Sequence, residues 1–94
     1  MTKNFDPVTV PLASPIEHKG VTHASLTFRE AELGDLCAGD HFDGQMQKTA
    51  ALLAGMAGVE LPVIKLLKAR DLSVVMDKVG HLMGNDIPST TGAT

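Results

Sequence analysis

Two alternating stretches near the start of the chain limit its fold more than any other feature. Val8, Val10 and Leu12 alternate with other residues in the stretch 8–18, which is the period of a half-buried strand. In the stretch 21–28 the same period places Thr22, Ala24, Leu26 and Phe28 on one face. Gly20 lies between the two stretches and can adopt the positive φ that a tight turn requires. Pro11 and Pro15 cannot donate ladder hydrogen bonds, so the first strand belongs at a sheet edge. Because a lone hairpin is marginally stable in water, other elements must cover its apolar face.

The remainder of the chain predicts the helices that would cover this hairpin. Helical spacing of apolar residues and start and stop signals indicate helices over 30–39, 44–58, 62–67 and 69–84. The last has the clearest pattern, because its apolar residues form one stripe: Leu72, Val75, Met76, Val79, Leu82 and Met83.

Several side chains mark the expected helix boundaries. Asp43 is a suitable N-cap for the second helix, and Pro62 is favoured at the first position of the third. In the first helix, Leu33 and Leu36 are three residues apart and are expected to share one face.

The length of 94 residues suits a single domain. We therefore expect one small α+β domain over residues 8–84, in which an N-terminal antiparallel hairpin is followed by three to four helices packed on one face. Residues 1–7 and 85–94 are polar and are expected to be flexible ends.

Charge and composition argue against several classes of function. The net charge of −3 offers no basic excess for a nucleic-acid backbone, and no apolar run is long enough to span a membrane. The start of the chain lacks a signal-peptide pattern, and the single cysteine cannot form an internal disulfide. Residues 1–60 are acidic and residues 61–84 mildly basic, which could orient a partner or self-association.

Neither catalysis nor metal binding is indicated by a specific motif. Cys37 and His41 could bind zinc if His23 or His81 supplied another ligand, but paired-ligand spacing is absent from the sequence. A buried thiol beside a polar linker is the favoured interpretation of this stretch. We expect no enzyme, no cofactor and no metal.

A DNA-binding interpretation also has to be weighed. Residues 53–67 have the spacing of a helix-turn-helix motif. However, the second helix would begin with Leu61, Pro62 and Val63, which have no side-chain donor or acceptor for base edges. A helix-turn-helix regulator therefore remains an alternative, as does a structural oligomerisation module.

A series of short motifs runs in order through residues 8–83. The first strand contains Leu12 and leads to Pro15-Ile16, Gly20 marks the turn, the second strand ends Leu26-Thr27-Phe28-Arg29-Glu30, and a helix follows with Gly34-Asp35-Leu36. Later come Leu61-Pro62 and Asp71-Leu72. This order resembles that of the short tail assembly chaperones of bacteriophages with contractile tails, although Ala31 stands where that family has a proline.

The resemblance implies a function and a set of partners. Such chaperones bind the tape measure protein, help to recruit the tail tube protein, and are absent from the finished virion. They work in the host cytoplasm, and many are also made as a longer, frameshifted form. For this chain the resemblance implies three partners: the tape measure protein, the tail tube protein and the longer, frameshifted form of the chain itself. Charge and composition predict no nucleic acid and no membrane, and a homo-oligomer is possible.

The residues that would contact the tape measure protein are expected among the apolar residues that recur at helical spacing. Most of these apolar residues are expected to face the core of so thin a domain. The residues that we expect to remain available for partner binding are Leu52, Met56, Val63, Leu67 and Met83.

The junction between the second strand and the first helix is expected to be a scaffold corner. Glu30 and Glu32 would lie near the helix N-terminus, where negative charge is favoured. Arg29 would end the strand and could pair with Asp35. The alternative is an ordinary connection with solvated charges.

Overall fold

The computed structural model describes residues 5–83, which form a hairpin followed by four α-helices. The strands are β1 (Val8–His18) and β2 (Val21–Phe28). The helices are α1 (Leu33–Gly39), α2 (Gln45–Ala57), α3 (Leu61–Lys65) and α4 (Ala69–Val79), and a 3-10 turn (Gly80–Met83) continues α4. The α+β class is confirmed. The predicted tail over 85–94 and the first four residues of the predicted flexible start lie outside the described residues.

Both strands begin and end at the predicted residues, and a two-residue turn connects them. Lys19 and Gly20 have φ values of 53° and 79°. Positive φ at both central residues is the pattern of a type I′ turn, whose twist matches that of the flanking strands. The antiparallel register pairs Val10 with Leu26 but is interrupted between Pro11 and Ile16, where β1 contains a bulge.

The helix boundaries differ from the prediction at several points. The first helix begins at Leu33 because Glu32 is its N-cap, with the Glu32 N–H donating to Asp35 Oδ2 at 2.8 Å. Gly44, and not Asp43, is the N-cap of α2. The single helix predicted over 69–84 is α-helical only to Val79.

One hydrophobic core joins the hairpin to α2, α3 and α4. The inner face of the hairpin contributes β1 and β2 side chains, and the facing helices contribute the rest. The core residues are Val10, Leu12, Ile16, Leu26, Phe28, Leu52, Leu53, Ala54, Met56, Val63, Ile64, Val75, Val79 and Leu82. In contrast, α1 packs on α2 and contributes none of these residues.

Candidate partner-binding surfaces

The corner after β2 is fixed by a bidentate ion pair. Arg29 Nη1 donates to Asp35 Oδ2 at 2.8 Å, and Nη2 donates to Asp35 Oδ1 at 3.1 Å. The same guanidinium donates to the carbonyls of Glu30 at 2.9 Å and Gly55 at 2.8 Å. These bonds connect the end of the hairpin to both α1 and α2, which confirms the predicted pairing of Arg29 with Asp35.

Backbone hydrogen bonds hold the same corner from two sides. The Arg29 N–H donates to the Met56 carbonyl at 3.1 Å, and the Ala31 N–H donates to the Leu82 carbonyl at 2.8 Å. The junction residues are therefore tied to the end of α2 and to the turn that follows α4. This arrangement is that of a scaffold corner and not of a loose connection.

The ion pair also changes the titration of its members. Asp35 is only 8% exposed. The hydrogen bonds from Arg29 lower the pKa of the Asp35 carboxyl below its usual value, against the opposite effect of burial. The same hydrogen bonds raise the pKa of Arg29. The pair is thus charged throughout the neutral range and holds α1 against α2.

Helix α1 presents its leucines to solvent as a result. Its buried residues are Asp35 and Gly39, which face α2. Leu33 is 74% exposed and Leu36 is 52% exposed. Leu33 and Leu36 share one side of the helix, as expected, but the expectation that this helix would help to cover the hairpin is wrong. We call these two leucines the α1 face.

A second carboxylate positions α4. Asp71 lies in the first turn of α4 and is 3% exposed. Its Oδ1 accepts a hydrogen bond from the Ala13 N–H and its Oδ2 from the Ser14 N–H, each at 3.0 Å. These N–H groups belong to the bulged part of β1, where pairing with β2 is interrupted. The two backbone hydrogen bonds lower the pKa of Asp71 and fix the start of α4 on the hairpin.

An apolar groove lies between α2, α3 and the start of α4. Its volume is about 430 Å³. Leu53 and Ile64 are buried core residues at its base, whereas Met46 is 63% exposed. The groove is lined by Met46, Gln47, Thr49, Ala50, Leu53, Ile64, Lys65, Leu67, Ala69 and Leu72.

The five residues predicted to bind a partner are separated by the fold. Leu52, Met56 and Val63 are buried in the core at 8%, 2% and 2% exposure, so this folded surface does not offer them to a partner. Leu67 is half-buried and lines the groove. Met83 is half-buried at the end of the 3-10 turn. Partner binding at Leu67 and Met83 stays a prediction.

Sequence patterns predict only some of the residues that make these surfaces, namely Leu67 of the groove and the shared side of Leu33 and Leu36. Met46 has the helical spacing of the apolar residues of α2, but its position in the first turn of that helix leaves it outside the core. The glycines at 39 and 55 were a possible signal for α1, because small residues allow two helices to approach closely. They could have indicated that α1 packs on α2.

The metal and DNA alternatives find little physical basis in residues 5–83. Cys37 is exposed, so the expected buried thiol is wrong. No group of three potential ligands capable of holding a metal occurs in this part of the chain. The would-be recognition helix α3 has only five residues, and it buries Val63 and Ile64. Among the described helices, none is long and apolar enough to cross a membrane.

The fold and these two surfaces define a small α+β domain whose exposed features are an apolar groove and an apolar helix face. The chain belongs to the family of phage tail assembly chaperone proteins, E, or 41 or 14. The model of that family matches residues 9–84 of the chain. The match includes both the Arg29–Asp35 corner and Asp71. No curated protein and no solved structure matched the chain in the corresponding comparisons.

Proposed function

We propose that this chaperone binds helical segments of the tape measure protein in the groove between α2, α3 and α4. Family membership supports a role in phage tail assembly. The groove supports the mode of binding, because an amphipathic helix can lay its apolar side into such a surface. The groove is the observation that assigns the proposed binding to particular residues.

The composition of the groove suits a chaperone with long helical clients. Met46 is exposed at one end, and an unbranched thioether can adapt to clients of different shape. Leu67 and Leu72 are half-buried along it, so apolar area remains for a client to cover. Gln47, Thr49 and Lys65 supply polar groups around this apolar area.

The other parts of the proposal rest on the family. The chaperone would help to recruit the tail tube protein, would act in the host cytoplasm, and would be absent from the finished virion. A longer, frameshifted form of the same chain would be a further partner. Its role would be binding and not catalysis, in agreement with membership in a chaperone family.

The proposal is tested by co-expression with the tape measure protein and size-exclusion chromatography of the soluble fraction. A Met46→Glu/Ala69→Glu variant places two charges in the groove. Both positions are exposed and lie in the first turns of α2 and α4, where negative charge is favoured by about 0.3–1 kcal/mol. The variant should therefore fold, yet lose the shared peak with the tape measure protein.

The matched control is Val74→Glu, an exposed position on α4 that does not line the groove. This variant should keep the complex. If the tape measure protein stays insoluble when it is co-expressed with the unaltered chain, the proposal that this chain binds it and keeps it soluble is wrong. If the complex forms and the groove variant keeps it, the client binds elsewhere on the surface.

A further inference from the structure

The α1 face is unusual because its two leucines are exposed and do not belong to the hydrophobic core. Leu33 is the most exposed of the large hydrophobic side chains described, and Leu36 is exposed beside it. Helix α1 is held through Asp35 and Gly39 instead. Neither leucine lines the groove, so this face is separate from the proposed site of the tape measure protein.

The chain around this face has an excess of acidic side chains. Residues 29–48 contain five acidic side chains against two basic ones, Arg29 and Lys48. Arg29 neutralises Asp35 and also lies 4.0 Å from Glu32 Oε1, whereas Glu30, Asp40 and Asp43 are exposed to solvent. An apolar surface with acidic neighbours favours a partner that combines apolar side chains with positive charge.

We propose that the α1 face is a second docking surface, and that its partner is an amphipathic helix of another protein with lysine or arginine beside its apolar residues. Leu33 and Leu36 would insert between apolar side chains of that helix. The exposed carboxylates around them would meet its basic residues. The proposal does not rest on binding of the tape measure protein in the groove.

A second copy of this chain fits the face less well. Helix α4 of a second copy carries no net charge, because Arg70 and Lys78 are balanced by Asp71 and Asp77, and it exposes one large apolar residue, Val74. Two copies with a net charge of −3 each also repel one another. We therefore assign the face to a different protein with a basic helix.

Binding of designed peptides tests this assignment. A helical peptide of leucine and lysine is compared by fluorescence anisotropy with two relatives, in one of which glutamate replaces lysine and in the other alanine replaces leucine. At low ionic strength the leucine–lysine peptide should bind about tenfold more tightly than either relative. The preference over the glutamate peptide should shrink as salt is added.

Variants of the chain locate the binding. Leu33→Ser/Leu36→Ser should weaken binding of the leucine–lysine peptide by about tenfold or more, since it removes apolar contacts and leaves the charge unchanged. The matched control, Leu66→Ser/Val74→Ser, changes two exposed apolar residues elsewhere and should bind like the unaltered chain. Glu30→Gln/Asp43→Asn keeps both leucines and should lose much of the preference for lysine.

Three results would overturn the proposal. The first is equal binding of the lysine and glutamate peptides. The second is unchanged binding by Leu33→Ser/Leu36→Ser, which would indicate a general attraction of cations. The third is a dimer in analytical ultracentrifugation that the same variant dissociates, because the α1 face would then belong to a second copy.

Discussion

Asp35 and Gly55 are in direct contact across the interface of α1 and α2, and there is no space between them for a methyl group. A Cβ atom built on Gly55 would lie 3.0 Å from Asp35 Cγ and closer still to Oδ1. The carboxylate cannot move away freely because Arg29 and the Glu32 N–H hold it. Gly55→Ala should therefore destabilise the domain by about 1–2 kcal/mol, although alanine is favoured over glycine in helices by about 1 kcal/mol. Urea unfolding measures this change.

A matched glycine in α1 separates the contact from helix propensity. Gly34 has no neighbouring atom within 4 Å of a built Cβ, so Gly34→Ala should stabilise the domain by up to about 1 kcal/mol. Adding Asp35→Ala removes the obstructing carboxylate, and Gly55→Ala should cost less in that background. Equal effects of Gly55→Ala with and without Asp35 would show that the contact is not the cause.

The hairpin and its corner could be predicted because their signals are local. Period-two alternation and the glycine at the turn fix both strands within about twenty residues of chain. Arg29 and Asp35 are six positions apart, so their pairing across the corner is also a local relationship. The class of the fold follows, because a hairpin of this kind needs helices to cover it.

The orientation of α1 could not be predicted from its own sequence. Apolar spacing normally indicates the buried side of a helix, which here would be that of Leu33 and Leu36. The ion pair of Asp35 with Arg29 and the close approach to Gly55 determine the packing instead. Gly55 lies in another helix, and no local pattern connects it to Asp35.

The role of Asp71 was hidden for a similar reason. An acidic residue in the first turn of a helix is expected whatever it contacts, because its negative charge interacts favourably with the helix dipole. Its actual partners are two N–H groups of the bulge in β1, which lies more than fifty residues earlier. A bulge depends on the pairing of both strands, and the sequence of β1 alone does not reveal it.

Arg29→Lys should destabilise the domain by about 1–2 kcal/mol, since lysine keeps the charge but lacks the planar fork. One Asp35 oxygen and the Gly55 carbonyl would lose their donor. The effect is limited because the Arg29 side chain is 40% exposed. Urea unfolding gives the global change, and hydrogen exchange should show faster opening of α1. Arg70→Lys, at an exposed position, is the control and should have little effect.

Stability should fall in acid because two structural carboxylates must be charged. Both Asp35 and Asp71 have a folded pKa below the ordinary value of 3.8. Their contribution to stability is therefore fully present above the unfolded pKa and is lost as the pH falls through the lower folded pKa. Thermal unfolding midpoints should be nearly constant from about pH 7 to about pH 5 and should fall below about pH 4.

Asp71→Asn identifies the contribution of one of these carboxylates. The variant should melt below the unaltered chain at neutral pH, because the Ala13 and Ser14 N–H groups lose their charged acceptor. The difference in midpoint should narrow in acid, where the unaltered Asp71 is also neutral. Asp77→Asn, on the exposed side of the same helix, serves as the control. A difference that is constant with pH would mean that the charge of Asp71 is not responsible.

Lys19→Asn should stabilise the hairpin by up to about 1 kcal/mol, because lysine occupies a positive φ that asparagine tolerates better. The substitution also removes the Lys19 Nζ contact with Glu60 Oε1 at 3.3 Å, but an exposed ion pair contributes little. Comparing Lys19→Asn with Glu60→Gln separates the two effects, since the second variant leaves the turn unchanged and removes the ion pair, together with the contact of Glu60 Oε1 with His18 Nδ1 at 3.9 Å. Thermal unfolding should show a higher midpoint for Lys19→Asn and almost no change for Glu60→Gln. A lower midpoint for Lys19→Asn, matched by Glu60→Gln, would mean that the ion pair matters more than the backbone conformation of the turn.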